Sequence, residues 1–291
     1  MSISEELGEP KEVQLAQGTV RYRERGVGEP IVFVHGFFVN GDLWRKVVPE
    51  LAKEFHCITP DWPLGSHEFP MNANADLSPP GVAKLVADFM DALDLEGVTL
   101  VGNDTGGGQC QILAVENPER IGRLVLTNCD GFDYFPPPLF RPLFWGAVHI
   151  PGFAFLTVQS LQLGWVRQLP IAFGWLAKRP IEPEIWDSYL ASARTNRAVL
   201  RDAIKYLKGV PRNHTLAASS NLGRFTPPVL IAWASEDRVF PFKLAEKLGR
   251  AFPNARLERI EDSYTFVPED QPQRLGQLIA AFMRQPVAAT E

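Results

Sequence analysis

The stretch Val101-Gly102-Asn103-Asp104-Thr105-Gly106-Gly107-Gly108 constrains this chain more than any other. Gly97 to Val101 reads as a short buried strand and Thr105 to about Val115 as a helix, so the glycines mark a sharp strand-to-helix turn. A turn this tight needs small neighbours. At its tip stands the Asp104 carboxylate, where the positive end of the helix dipole stabilises an anion by roughly 0.3–1 kcal/mol. An Asp ahead of a helix is most often an N-cap, so a chemical role for Asp104 depends on what accompanies it along the chain.

What accompanies it is an alternation of strands and helices. Glu12 to Ala16 and Thr19 to Glu24 read as a hairpin closed at Gln17-Gly18. Pro30-Ile31-Val32-Phe33-Val34 is a continuous apolar run, the pattern of a strand buried on both faces, and it ends at His35-Gly36. Helical spacing predicts a helix over Asp42 to Phe55, then a strand at Cys57 to Thr59, a loop from Pro60, and a helix over Gly81 to Leu95. Leu124 to Thr127 is a further strand. From Asp133 to about Leu222 the alternation stops, and a helical stretch rich in Pro, Phe and Trp takes over. Strand logic resumes at Val229 to Trp233, with a helix from Phe242 to Phe252, a strand at Leu257 to Ile260 and a closing helix over Gln271 to Met283.

This order predicts an α/β fold: a mostly parallel sheet with helices on both faces, and a helical cap inserted into it. The core is expected over 1–132 and 223–291, the cap over 133–222. Ligands of such sheets sit beyond the strands' C-terminal ends, and His35, Asp61, Asp104 and Asp130 all fall at that edge.

At 291 residues one large domain with an insertion accounts for the length. A net charge of -5 with no basic cluster points away from nucleic acid and from an anionic membrane, leaving a small molecule as the expected partner. Cys57, Cys110 and Cys129 lack metal-ligand spacing and read as buried thiols, so neither metal nor cofactor is expected. The N-terminus has no basic start or apolar run, which makes the cytoplasm the expected location. The most apolar stretch, Phe144 to Val158, is broken by His149 and Pro151 and falls short of the ~18 residues a membrane span needs.

Four features together resemble the α/β-hydrolase superfamily, in its aspartate-nucleophile branch of haloalkane dehalogenases and epoxide hydrolases: His35-Gly36 after a strand, the turn Gly102-Asn103-Asp104-Thr105-Gly106, the cap, and Glu236-Asp237-Arg238-Val239-Phe240-Pro241 after a late strand. The resemblance covers nearly the whole chain. It implies that Asp104 attacks an sp3 carbon, that the amides of Phe37 and Thr105 form an oxyanion hole, and that Asp237 orients a histidine that activates water. In that branch the histidine follows the last strand; here Tyr264-Thr265-Phe266 holds its place, and no histidine lies after His214.

A displaced base is therefore sought in His67, on the loop after a strand, or in Asp237 itself, with Tyr264 donating to substrate or holding that acid. The expected substrate contacts are Phe38, Trp62, Asp130, Tyr134, Phe140 and Trp145. Where the branch's dehalogenases carry Trp and Asn to hold halide, this chain has Thr105 and Phe37, whereas Tyr134, Tyr189 and Tyr206 remain in the cap to activate an epoxide. The leading expectation is an epoxide-hydrolase-like enzyme acting on a hydrophobic small molecule. The alternatives are a dehalogenase-like hydrolase, a non-hydrolytic lyase, isomerase or cyclase that needs no histidine, and a catalytically silent protein whose aromatic cap captures an apolar ligand.

Overall fold

The computed structural model describes residues 1–210 and 214–285, so the expected end of the core at residue 291 lies outside the described residues. Eight strands form one sheet: β1 (Glu9–Leu15), β2 (Gly18–Arg25), β3 (Pro30–Val34), β4 (His56–Pro60), β5 (Val98–Asp104), β6 (Ile121–Cys129), β7 (Val229–Ala234) and β8 (Ala255–Ile260). Their order is β1-β2-β4-β3-β5-β6-β7-β8. The β1–β2 hairpin and the β2–β4 pair are antiparallel and every later pair is parallel. Every residue of β5 and β7 is buried, as a central strand covered on both faces requires, whereas β1 and β8 at the edges stay partly open.

The helices of the first half are α1 (Val48–Leu51), α2 (Pro79–Ala92) and α3 (Thr105–Glu116). Between β6 and β7 come α4 (Arg141–His149), α5 (Phe153–Ser160), α6 (Gly164–Arg167), α7 (Pro183–Thr195), α8 (Arg197–Gly209) and α9 (His214–Ser219). The chain closes with α10 (Phe242–Ala251), α11 (Val267–Asp270) and α12 (Pro272–Met283). No helix among the described residues is long and apolar enough to cross a membrane. The three cysteines are free and buried.

One expected element is not continuous. The helix predicted over Asp42 to Phe55 is a 3-10 turn at Gly41–Trp44 followed by the single helical turn α1. Pro49 lacks the amide that a helix running through from Asp42 would need. Asp42 is instead committed elsewhere, because its carboxylate accepts from the amides of Ile3 and Ser4 and so pins the N-terminal segment to the core.

The turn after that 3-10 segment also joins the helical insertion to the sheet. Arg45, 7 % exposed, pairs with Glu269 at 3 % exposure and with Glu182 just ahead of α7. Lys46 reaches the same two acids, at 2.9 and 3.2 Å. Removing one member of a buried pair leaves the other uncompensated, at about 3–5 kcal/mol. Arg45→Ala is therefore expected to lower unfolding free energy by about 3 kcal/mol, the low end because Lys46 remains on Glu269. Urea denaturation checks this, and Lys11→Ala at the exposed Lys11–Glu24 pair is the control that leaves the midpoint in place.

Candidate active site

β5 delivers Asp104 to the sheet's C-terminal edge and α3 starts at the next residue, which forces Asp104 to φ 54 and ψ −131. A non-glycine side chain at positive φ is strained by on the order of 1–3 kcal/mol, so surrounding contacts must hold it there. They do so by close approach to β3. A Cβ on Gly106 would lie 2.1 Å from the Val34 carbonyl oxygen, and one on Gly36 would lie 2.1 Å from Asp104 Oδ2. With no side chains in the way, the amide of Phe37 donates to Asp104 Oδ2 at 3.3 Å and the Thr105 amide also bonds this carboxylate.

The loop bearing Phe37 is fixed by His35. Its ring accepts from the Trp62 amide at Nε2 (2.8 Å) and faces the Gly36 carbonyl at Nδ1 (2.9 Å), the pattern of a neutral imidazole protonated on Nδ1. Full burial, which disfavours the charged form, pushes its pKa down to about 3.

Beyond β7, both carboxylate oxygens of Asp237 are taken. Oδ1 accepts from the amides of Val239 (2.7 Å) and Phe240 (3.2 Å), and Oδ2 from the Asn128 side chain at 2.6 Å. Thr265 Oγ1 lies 3.0 Å from each oxygen, so its hydroxyl donates to this acid from the position where the resembling enzymes carry their histidine. Asn103, next to Asp104, donates to the Thr265 carbonyl (2.7 Å) and to the Thr127 hydroxyl (2.7 Å), which locks this loop to the turn. Burial raises Asp237 to about 6, less than it otherwise would because of these donors.

A third acid, Asp130, follows β6. It is 1 % exposed, its Oδ1 has no hydrogen-bond partner, and burial beside Asp104 raises its pKa well above the ordinary range. Burial likewise pushes Asp104 up to about 7, against the pull of its two amides and with a smaller upward contribution from Asp237.

Asp104 opens onto a chamber of about 260 Å³ between the sheet edge and the insertion. Phe37, Phe38, Phe140, Phe144, Phe173 and Leu200 are among its walls, and Asp104 is the one ionisable group lining it among the described residues. In such a medium a charge is poorly solvated, which is why the carboxyl holds its proton so long.

Of the expected site residues, Asp104, Phe37, Thr105, Phe38 and Phe140 meet at this chamber. Asp130 sits behind Thr105, whose side chain bonds it. Asp237 stands behind Thr265. The others are elsewhere. Trp62 is fully buried, its indole donating to the Phe33 carbonyl (2.9 Å) and its ring against Phe89, so it belongs to the core of the sheet. His67 is neither a surface residue nor a chamber residue: it is 2 % exposed and faces Asp202 of α8 at 3.4 Å. Of the two roles expected of Tyr264, donating to substrate or holding Asp237, the second falls to Thr265; the Tyr264 ring lies under Arg238 and Lys178, and Tyr264 does not line the chamber. Tyr134 packs near Phe240, and Trp145 is 59 % exposed and stacked on His149. Tyr189 bonds Glu269, while Tyr206 stacks on Phe37 with its hydroxyl accepting from Gln109 at 2.5 Å. Sequence reasoning passed over Asn103 and Asn128, and placed Thr265 in the stretch that replaces the histidine without giving it a role. For the two asparagines the available signal was position, since each sits one or two residues ahead of an acid at a strand end.

Comparisons with known proteins agree with this fold. A family model described as alpha/beta hydrolase fold matches residues 29–272. Haloalkane dehalogenase 2 of Mycobacterium tuberculosis is 26 % identical over 277 residues, covering 91 % of each chain. A cis-3-alkyl-4-alkyloxetan-2-one decarboxylase of Shewanella oneidensis is 27 % identical over 286 residues, covering 91 % of this chain and 85 % of that one. Among solved structures, the epoxide hydrolase CorEH superposes with a TM-score of 0.79 at 22 % identity, over 94 % of this chain and 98 % of its own.

The buried acid sets a pH dependence of stability. A carboxyl whose pKa is raised by folding, here from 3.8 to about 7, stabilises the fold fully below about pH 4 and loses that contribution as pH rises through 7. Asp104→Asn is therefore expected to flatten the fall in unfolding free energy between pH 4 and 8 and to be the more stable protein at pH 8, by on the order of 3 kcal/mol. Urea titrations across this window measure it, and parallel curves for the two proteins would exclude a buried proton on Asp104.

Proposed function

Since the chain belongs to the α/β-hydrolase fold family, we propose that it is an enzyme in which Asp104 opens a strained oxygen-containing ring, foremost an epoxide, on an apolar small molecule. The observation that carries this is a carboxyl held by the amides of Phe37 and Thr105 at the edge of an apolar chamber. Oδ2 is held by the Phe37 amide, and the carboxyl faces an apolar chamber. In this reading the other oxygen attacks a ring carbon; the C–O bond to Asp104 forms as the ring C–O bond breaks, and Oδ2 becomes the ester carbonyl. The opened ring oxygen takes its proton from water, because Tyr206, stacked on Phe37 with its oxygen accepting from Gln109, does not line the chamber. No Trp or Asn side chain lines the chamber among the described residues, which favours an epoxide over a halide. In this reading residues 133–222 act as the cap over a core of 1–132 and 223–291.

Thr265 favours a second, non-hydrolytic reading. Its hydroxyl donates to Asp237 and takes no proton from water, so an ordinary ester on Asp104 has no imidazole to release it. A four-membered lactone, the ring named in the Shewanella relative, needs no release step of that kind. Attack by Asp104 at the ring carbon bearing oxygen frees a carboxylate. Loss of that carboxylate as CO2 supplies the pair for a C=C bond and expels Asp104, with no water or base consumed.

Intact-mass measurement after incubation with a long-chain alkyl epoxide and with a cis-dialkyl oxetan-2-one separates the two. The epoxide is expected to leave an adduct of its own mass on the wild type and none on Asp104→Asn, forming faster as pH rises through about 7, where Asp104 ionises. Turnover of the oxetanone to alkene and CO2, with no adduct, supports the second reading. Neither adduct nor product from either ring sinks both. Thr265→His is expected to turn the epoxide adduct over, raising diol formation at least about 10-fold, because a positioned base contributes roughly 10²–10⁴-fold.

A further inference from the structure

A second cavity, a surface cleft of about 500 Å³, adjoins the chamber, and Ala147, Ala154, Leu200 and Ile204 line both. Its lining is unlike the chamber's. Arg197, Arg201, Lys205 and Lys208 all face it from α8, and no Asp or Glu lines it among the described residues. These positions fall at i, i+4, i+8 and i+11, which puts all four cations on one helix face. The chain as a whole carries -5, so this stripe is a local reversal of sign.

Two of the cations are occupied. Arg201 bonds Asp202 and the Met71 carbonyl, and Lys205 the carbonyls of Ala73 and Ala75. Arg197 and Lys208 are exposed and have no acidic partner among the described residues. The Arg197 guanidinium lies 4.9 Å from the centre of the Phe155 ring, a contact that holds it at the rim of the cleft.

We propose that this cleft binds the anionic head group, a carboxylate or phosphate ester, of an amphipathic substrate whose apolar part occupies the chamber. The inference rests on the chamber being the reaction site. It follows from a division of labour between the two cavities: the chamber offers an anion no cation among the described residues, and four cations line the cleft that meets it along Ala147, Ala154, Leu200 and Ile204. An anion attached to an apolar chain has one favourable place to go.

The test is calorimetric binding of decanoate and 1-decanol, both below their aggregation limits, to the wild type. Neither is an electrophile, so the result does not depend on Asp104 reacting. Decanoate is expected to bind at least about 10-fold more tightly at low ionic strength, with the advantage shrinking as salt is added. Arg197→Gln/Lys208→Gln is expected to abolish that advantage, and Lys53→Gln/Arg284→Gln, which removes the same charge from the core, to retain it. Equal affinity for the two ligands, or an advantage that survives Arg197→Gln/Lys208→Gln, overturns the proposal. So does sedimentation with phosphatidylglycerol vesicles that depends on Arg197 and Lys208 without any preference for monomeric decanoate, which would assign the stripe to a bilayer surface.

Discussion

The hydrogen bond from the Phe37 amide to Asp104 joins the ends of two neighbouring strands, and the geometry of the site follows from it. β3 and β5 are paired in parallel with Val34 opposite Gly102, so the chain leaving β3 passes directly over the turn leaving β5. That crossing works only because Gly36 and Gly106 present no Cβ to each other's strand. The same closeness holds Asp104 at positive φ, since relaxing its backbone would break the amide contacts that partly compensate its burial. Strain at one residue and the absence of side chains at two others are thus one constraint seen from both sides.

Three acids, Asp104, Asp130 and Asp237, gather at this edge with backbone amides, hydroxyls and a carboxamide as their donors, and without an imidazole among them. Where the resembling enzymes would place an imidazolium between two carboxylates, here a neutral hydroxyl donates to one of them. Burial, with a smaller contribution from Asp237, makes the Asp104 carboxyl retain its proton up to about pH 7. A base positioned by Asp237 is not part of this edge among the described residues.

Much of the frame was legible because it is written in local pattern. Apolar runs located β3, β5, β6 and β7 to within a few residues, and Gly102 to Gly108 marked the turn that carries Asp104. What failed was of two kinds. The helix expected over Asp42 to Phe55 broke at Pro49, a signal that its apolar spacing masked, and Asp42 turned to a contact thirty-eight residues away with Ser4, which no periodicity encodes. Trp62, His67, Trp145 and Tyr264 were drawn into the site by residue type and sequence position, yet three-dimensional packing sends them to the core, to α8 and to the surface. Thr265 shows the reverse error: a threonine carries no chemical flag, and its importance comes from the acid it faces. The cations of α8 escaped notice similarly, since spacing of three or four residues dilutes them in the linear sequence and a helix gathers them.

The backbone at Thr265 is held independently of its side chain. Its carbonyl accepts from Asn103, and the next amide, of Phe266, donates to the Leu176 carbonyl at 2.6 Å. Position 265 is therefore a socket whose placement against Asp237 does not depend on what fills it. The identity of the residue there can thus change while its aim is preserved, and a substitution replaces the group that faces the Asp237 carboxylate without rebuilding the scaffold that points at it.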